Sequence, residues 1–181
     1  MNGFQKTVLF GDSITQFWSD YDPDFFESNY LINKGISGQT TSQMLDRFDN
    51  DVIKYKPQKV VILAGINDIA ENNGPIALEA VLHNIQIMVE KAFQHNIKVL
   101  LCSLLPANRF YWNPKLQPEA KVMELNCLLK NYAKVNSIDF VDYFPPMVDA
   151  TNGLLQSYGP DGVHPNLEGY LKMKFILEPY L

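Results

Sequence analysis

The sequence is poor in the residues that grip polyanions and metals. Arginine occurs only at Arg47 and Arg109, and histidine only at His83, His95 and His164. Lysines are spread along the chain, and the formal net charge is -5 with a sequence pI of about 5.1. A phosphate backbone is held chiefly by clustered cations, so this composition argues against nucleic acid as a partner and against an anionic membrane surface. No apolar run approaches the ~20 residues that span a bilayer. The N-terminal Met-Asn-Gly-Phe-Gln-Lys enters a strand-like segment without the apolar core of a signal peptide, which makes a cytoplasmic protein the expectation. Cysteine is also scarce. Cys102 falls in an apolar strand-like run and Cys127 in the middle of a helical pattern, and both are expected to be buried free thiols.

What is present is an ordinary globular composition, 46% hydrophobic and 19% charged, with glycine and proline scattered. The 181 residues suit one domain, 1–181. Strand-like and helix-like patterns alternate throughout. Thr7–Phe10, a weaker Tyr30–Asn33, Val60–Ala64, Ile97–Cys102 and Ser137–Val141 read as five strands. Val60–Ala64 is apolar at every position, as in a parallel strand covered on both faces. Between them lie helical patterns: one opened by Thr40 with Gln43 in capping-box position and carrying Met44, Leu45, Phe48 and Val52, and one from Pro75 with Leu78, Val81, Leu82, Ile85, Val89 and Ala92. A third starts at Pro118 with Val122, Leu125, Leu129 and Tyr132, and a last one runs from about Asn166 to Leu177. Such alternation predicts an α/β fold, a three-layer sandwich around a five-stranded parallel sheet.

In open parallel sheets, ligands sit at the loops leaving the carboxyl ends of the strands. Those loops here are Gly11-Asp12-Ser13, Asn33 to Gly38, Gly65-Ile66-Asn67-Asp68 and, before the last helix, Asp161-Gly162-Val163-His164-Pro165. Together they supply the parts of an acyl-transfer site. A serine at a strand-to-helix junction presents its hydroxyl above the sheet, over the positive end of the helix, but needs a base to become nucleophilic. His83 lies within the long helix and His95 at its end, which leaves His164 as the base and Asp161, three residues earlier, to orient it. The backbone N–H groups of Ser13 and Gly38 and the side-chain amide of Asn67 are candidate oxyanion donors. Asp12, Gly65 and Asp68 are expected to support these turns. An imidazole base predicts activity rising with pH through roughly 6 to 7.

Each motif alone has a plainer reading. Gly-Asp-Ser makes a turn with an N-cap, and Gly-Ile-Asn-Asp ends a strand. Asp161 and His164 also suit a capping loop or half a metal site, but no other His and neither Cys is placed to join them, so no metal is assigned. Gly35 and Gly38 match neither the Walker nor the dinucleotide spacing. The order of the four motifs, each at a strand end, favours the catalytic reading.

Over nearly its full length the chain resembles the SGNH hydrolases, also called GDSL esterases or lipases, a family known by four blocks carrying Ser, Gly, Asn and His. Ser13, Gly38, Asn67 and the Asp161–His164 pair match these blocks in order, and Ile14 stands where the name-giving motif has leucine. The resemblance implies a flavodoxin-like fold and hydrolysis of esters or thioesters with no metal or organic cofactor.

The substrate is less sharply marked. Arg109, Phe110, Tyr111 and Trp112 form an aromatic loop with one cation, which Phe17 and Trp18 would extend. Aromatic faces beside a polar group suit a sugar ring, and they equally suit packing of the loop onto the sheet. The expectation is a small-molecule or carbohydrate ester with a short acyl group such as acetyl. A lysophospholipase or thioesterase, a non-catalytic carbohydrate-binding module and a nucleotide-binding flavodoxin-like protein are the alternatives.

Overall fold

In the computed structural model, which describes residues 6–181, five parallel strands alternate with helices. The N-terminal reading rests largely on residues 1–5, which lie outside the described residues. The elements run β1 (Thr7–Gly11), α1 (Ser13–Tyr21), α2 (Pro23–Ser28), β2 (Leu31–Gly35), α3 (Thr41–Asp51), β3 (Lys59–Leu63), α4 (Ile66–Ile69), α5 (Leu78–Gln94), β4 (Lys98–Cys102), α6 (Glu119–Val135), β5 (Asp139–Val141) and α7 (Leu167–Leu177). Strand order is β2-β1-β3-β4-β5, the doubly wound flavodoxin-like order. Interior β1 is buried at all five positions, and central β3 at all but its first. That burial explains why both strands are runs of β-branched and other apolar residues without alternation.

Helices flank the sheet on both sides, with α1 packed on α7, α3 on α5, and α5 on α6. The stripe Val81, Ile85, Met88, Val89 and Ala92 is the buried face of α5, and Met44 and Phe48 that of α3. Phe10 of β1 meets Phe48 edge-on with ring centroids 5.3 Å apart. Among the described residues, no helix is long and apolar enough to cross a membrane.

Register fixes the site. Gly11 pairs with Gly35 on one side and with Leu63 on the other, so β1, β2 and β3 end level. The chain direction across the sheet reverses between β1 and β3, and the crevice outside such a switch point is where ligands bind in this architecture. The turns after these three strands carry Ser13, Gly38 and Asn67.

Three expectations change. The long helix begins at Leu78 rather than Pro75, because the turn through Glu71 and Gly74, both at positive φ, continues in extended backbone to Ala77. Helix α2 was not anticipated, although Asp22 as N-cap and Pro23 at N1 signal it, and the Asp22 carboxylate accepts from Phe25 N–H at 3.2 Å. Cys102 is buried, and burial pushes its thiol up to about 12, but Cys127 is exposed. The buried stripe of α6 is Val122, Leu125, Leu129 and Ala133, and a residue two positions from Leu125 faces the other way.

Candidate active site

The sequence places serine immediately after a buried Asp12, and Asp12 is the N-cap of α1: its Oδ1 accepts from Ile14 N–H at 3.0 Å. Ser13 therefore opens the helix, with its own N–H among the first-turn donors that no helical carbonyl can satisfy. Its Oγ lies 3.0 Å from His164 Nε2. The other ring nitrogen, Nδ1, lies 2.7 Å from Asp161 Oδ2. Asp161 Oδ1 meanwhile accepts from the backbone N–H groups of Val163 and His164 at 2.8 and 2.7 Å. Partial burial raises the Asp161 carboxyl, but the bonds from Val163 N–H and from the His164 ring and N–H outweigh it and hold the group below its ordinary value. A hydroxyl, an imidazole and an ionised carboxylate thus stand in line. Phe17 and Trp112 flank the imidazole, with ring centroids 5.7 and 6.3 Å from it.

The second strand-end turn holds Gly38 at φ +77°, a conformation that a side chain disfavours although the space around it is open. Its N–H makes no hydrogen bond among the described residues. Arg47 braces this turn from α3, donating to Gly11 O at 2.8 Å, to Lys34 O at 2.9 Å and to the Gln39 side chain. The third turn begins at Gly65, φ +124°, where a Cβ would come to 2.8 Å of Leu125. It delivers Asn67 in the one-turn helix α4, with Nδ2 3.2 Å from Asp12 Oδ2 and 3.1 Å from Gln39 O. The next residue, Asp68, reaches back to α3, accepting from Thr41 Oγ1 at 2.7 Å and from Thr41 N–H at 2.9 Å. Burial raises the carboxyls of both acids, Asp12 to about 6 and Asp68 upward against its two bonds from Thr41.

Ser13, Ser37, Gly38, Asn67, Asn72, Trp112 and His164 line one cavity of about 260 Å³. Every triad and oxyanion candidate except Asp161, which stands behind His164, is in this set. The six pocket candidates divide. Trp112 lines the cavity and Phe17 rests against His164. Trp18 and Phe110 are core residues, 2% and 0% exposed, with Trp18 stacked between Phe25 and Tyr170 at 5.5 and 5.6 Å. Arg109 and Tyr111 do not line the cavity, and Arg109 borders a different one. His83 lies on α5 and His95 caps its end, both exposed and neither lining the cavity; His95 Nδ1 lies 2.9 Å from Lys91 O. Asn72 escaped the sequence reading. Its only signal was membership of the Asn72-Asn73-Gly74 turn, yet its Nδ2 lies 2.7 Å from Asn67 Oδ1. Among the described residues, no three His, Cys, Asp or Glu side chains are placed to hold a metal ion.

Such an arrangement can carry out acyl transfer: a hydroxyl beside an oriented base, facing donors at the positive end of a helix. Residues 9–172 match the model of the GDSL-like Lipase/Acylhydrolase family. A GDSL-like lipase from Bacteroides thetaiotaomicron has a crystal structure that superposes with a TM-score of 0.96, at 43% identity over 97% of this chain and 87% of that one. The platelet-activating factor acetylhydrolase IB subunit alpha2 of Rattus norvegicus is 28% identical over 93% of this chain and 73% of its own length. An acetylxylan esterase from Geobacillus stearothermophilus is 49% identical over a short stretch of 39 residues, 22% of this chain and 18% of that protein.

Proposed function

The chain belongs to the GDSL-like lipase/acylhydrolase family and is an ester-bond hydrolase, and on that premise we propose that Ser13 is its nucleophile, His164 its general base and Asp161 the carboxylate that orients His164. The observation that carries the proposal is the unbroken line Ser13 Oγ, His164, Asp161, at 3.0 and 2.7 Å. His164 Nε2 takes the Ser13 proton as Oγ attacks the ester carbonyl. The oxyanion is received by Ser13 N–H, Gly38 N–H and Asn67 Nδ2. His164 then protonates the departing alcohol, leaving an acyl-serine, and repeats the sequence with water to release the acid and restore the hydroxyl. Both Asn67 amide hydrogens have acceptors in the resting structure, Asp12 Oδ2 and Gln39 O, so Asn67 serves the oxyanion by sharing or exchanging one of them.

The acyl group is short, acetyl being the best fit, and the alcohol is a carbohydrate. Of the residues lining the Ser13 cavity, Trp112 carries the one sizeable apolar face, with Phe17 beside it against His164; Ser37, Asn67, Asn72 and His164 are polar, and this short apolar wall suits a small acyl group better than a long tail. The two curated relatives named above favour the acetyl group, since both names describe removal of acetyl. Hydrolysis of a p-nitrophenyl ester series from acetate to palmitate, by wild type and Ser13→Ala, tests the reading. Acetate or butyrate should be preferred and the rate should vanish in the variant. A maximum at long chains would overturn the short-acyl assignment, and a rate retained by Ser13→Ala would overturn the nucleophile.

A further inference from the structure

The loop that carries His164 has a second cavity on it, of about 280 Å³, lined among others by Asn108, Arg109, Asp149, Thr151, Gln156 and Gly162. Arg109 makes no hydrogen bond or ion pair among the described residues; its guanidinium carbon lies 5.0 Å from the centroid of the exposed Tyr111 ring. Its donors are therefore unclaimed by protein, in a cavity whose walls are largely polar. Asp149 is held firmly from one side. Its Oδ1 accepts from Thr151 N–H at 2.7 Å, Thr151 Oγ1 at 2.8 Å and Gly153 N–H at 2.9 Å, while Oδ2 has no partner among the described residues. The bond from Thr151 Oγ1, then those from Gly153 and Thr151 N–H, hold the carboxyl below its ordinary value, so it stays an ionised acceptor. Asn108 is fixed too, donating to Thr151 Oγ1 at 2.7 Å and leaving its Oδ1 open.

One guanidinium and one carboxylate balance, and that selects the ligand. An anion would bind Arg109 against Asp149, and a cation would bind Asp149 against Arg109. A neutral polyol satisfies both, accepting from the guanidinium and donating hydroxyl protons to Asp149 Oδ2 and Asn108 Oδ1. The exposed Tyr111 ring lies under the Arg109 guanidinium and steadies it without taking any of its N–H donors. The cavity also belongs to the same two loops as the Ser13 cleft. Gly159 and Gly162 border it, while His164, two residues on, borders the cleft; Arg109 borders it, while Trp112 borders the cleft. A Cβ at Gly162 would lie 3.3 Å from Arg109 Nε, so the arginine lies directly on the loop backbone.

We infer that this cavity is a subsite for a neutral sugar ring with adjacent hydroxyls, part of the saccharide whose ester is presented to Ser13. The inference rests on the carbohydrate-ester reading for its role, but sugar binding can be measured without catalysis. Backbone-amide NMR titration of the intact protein with unacylated xylotetraose, with maltotetraose and inorganic phosphate alongside, is the experiment. Saturable shifts at Arg109, Thr151 and Gly162 are expected with at least one saccharide, and binding should weaken roughly tenfold or more in Arg109→Gln, which loses the charged donors but keeps length to pack on Gly162. Asp149→Asn should weaken it similarly, with thermal melting used to establish that each variant is folded. Saturation by phosphate but by neither saccharide overturns the inference. So do shifts confined to the Ser13 cleft, no saturable shift at all, or wild-type affinity in folded Arg109→Gln. Ester hydrolysis without saccharide binding removes the subsite alone, whereas saccharide binding without ester hydrolysis by wild type removes the mechanism alone.

Discussion

Asn72 and Asn67 are joined amide to amide, Asn72 Nδ2 donating to Asn67 Oδ1 at 2.7 Å. The same nitrogen lies 3.4 Å from Gly38 O, so one exposed side chain links two of the turns that furnish oxyanion donors. Because the Asn67 oxygen is claimed from one side, its NH₂ is directed to Asp12 and Gln39 at the cavity wall, and a flipped amide is disfavoured. Asn72→Ala is expected to lower kcat roughly tenfold on a short p-nitrophenyl ester, with a smaller change in KM and little change in melting temperature. Steady-state kinetics decide it, and an unchanged kcat would mean that Asn67 is oriented by Asp12 and Gln39 alone.

Activation of Ser13 by His164 has a readout that needs no substrate. A fluorophosphonate should label the wild type at Ser13 and leave Ser13→Ala unlabelled. His164→Ala should be labelled at least ~1,000-fold more slowly, since the hydroxyl then has no base at 3.0 Å. Labelling of His164→Ala at the wild-type rate would remove the imidazole from the mechanism. A wild type that is not labelled would instead revive the view that the site only binds.

The strand-end turns were legible because backbone geometry dictates their residues. Gly65 must accept φ +124° and lie against Leu125, and Asp12 must cap a helix that begins one residue later. Helical periodicity also held more information than was drawn from it. Phe17 is four residues from Ser13, on the same face of α1, and reaches His164; Trp18 is one residue further round and goes into the core. Nothing local separates Phe110 from Trp112, because the irregular stretch between β4 and α6 has no period to say which side chain turns inward. Asn72 and Gly38 lie 34 residues apart, and a hydrogen bond between them depends on the level ends of β1, β2 and β3 rather than on any local pattern.

The tie between α3 and α4 should be structural more than catalytic. Thr41 Oγ1 donates to Asp68 Oδ1 at 2.7 Å and accepts from Asn84 Nδ2 at 3.0 Å, all within a buried or half-buried pocket. Thr41→Val keeps the shape but leaves the Asp68 oxygen and the Asn84 amide short of a partner. The expected loss is about 1–3 kcal/mol of stability, read from urea denaturation midpoints at constant slope. A change below about 0.5 kcal/mol would mean that Asp68 is held by the Thr41 N–H alone. Specific activity of the folded fraction should change far less than it does in Asn72→Ala.

Asp12 makes the sharpest prediction about pH. Burial raises its carboxyl from 3.8 to about 6, against the bond from Ile14 N–H and the attraction of His164 and with the repulsion of Asp68. A carboxyl whose folded value is raised keeps its proton in the folded chain over a range where the unfolded chain has lost it. Its contribution to stability is therefore full below about 3.8, declines as pH rises, and is gone above about 6. The interval of roughly two units corresponds to about 3 kcal/mol. Asp12→Asn keeps an oxygen to accept from Ile14 N–H but has nothing to ionise, and its amide is a poorer partner for Asn67 Nδ2 than a carboxylate oxygen. The absolute offset between variant and wild type thus mixes several effects, while its pH dependence reports the ionisation of Asp12 together with its coupling to His164 and Asp68. Between about pH 4 and pH 7 the stability of Asp12→Asn relative to wild type should rise by that amount, measured by denaturant titration at several pH values. A difference that stays flat across the range would mean that Asp12 is ionised throughout, with the Asn67 amide and Ile14 N–H fully offsetting its burial.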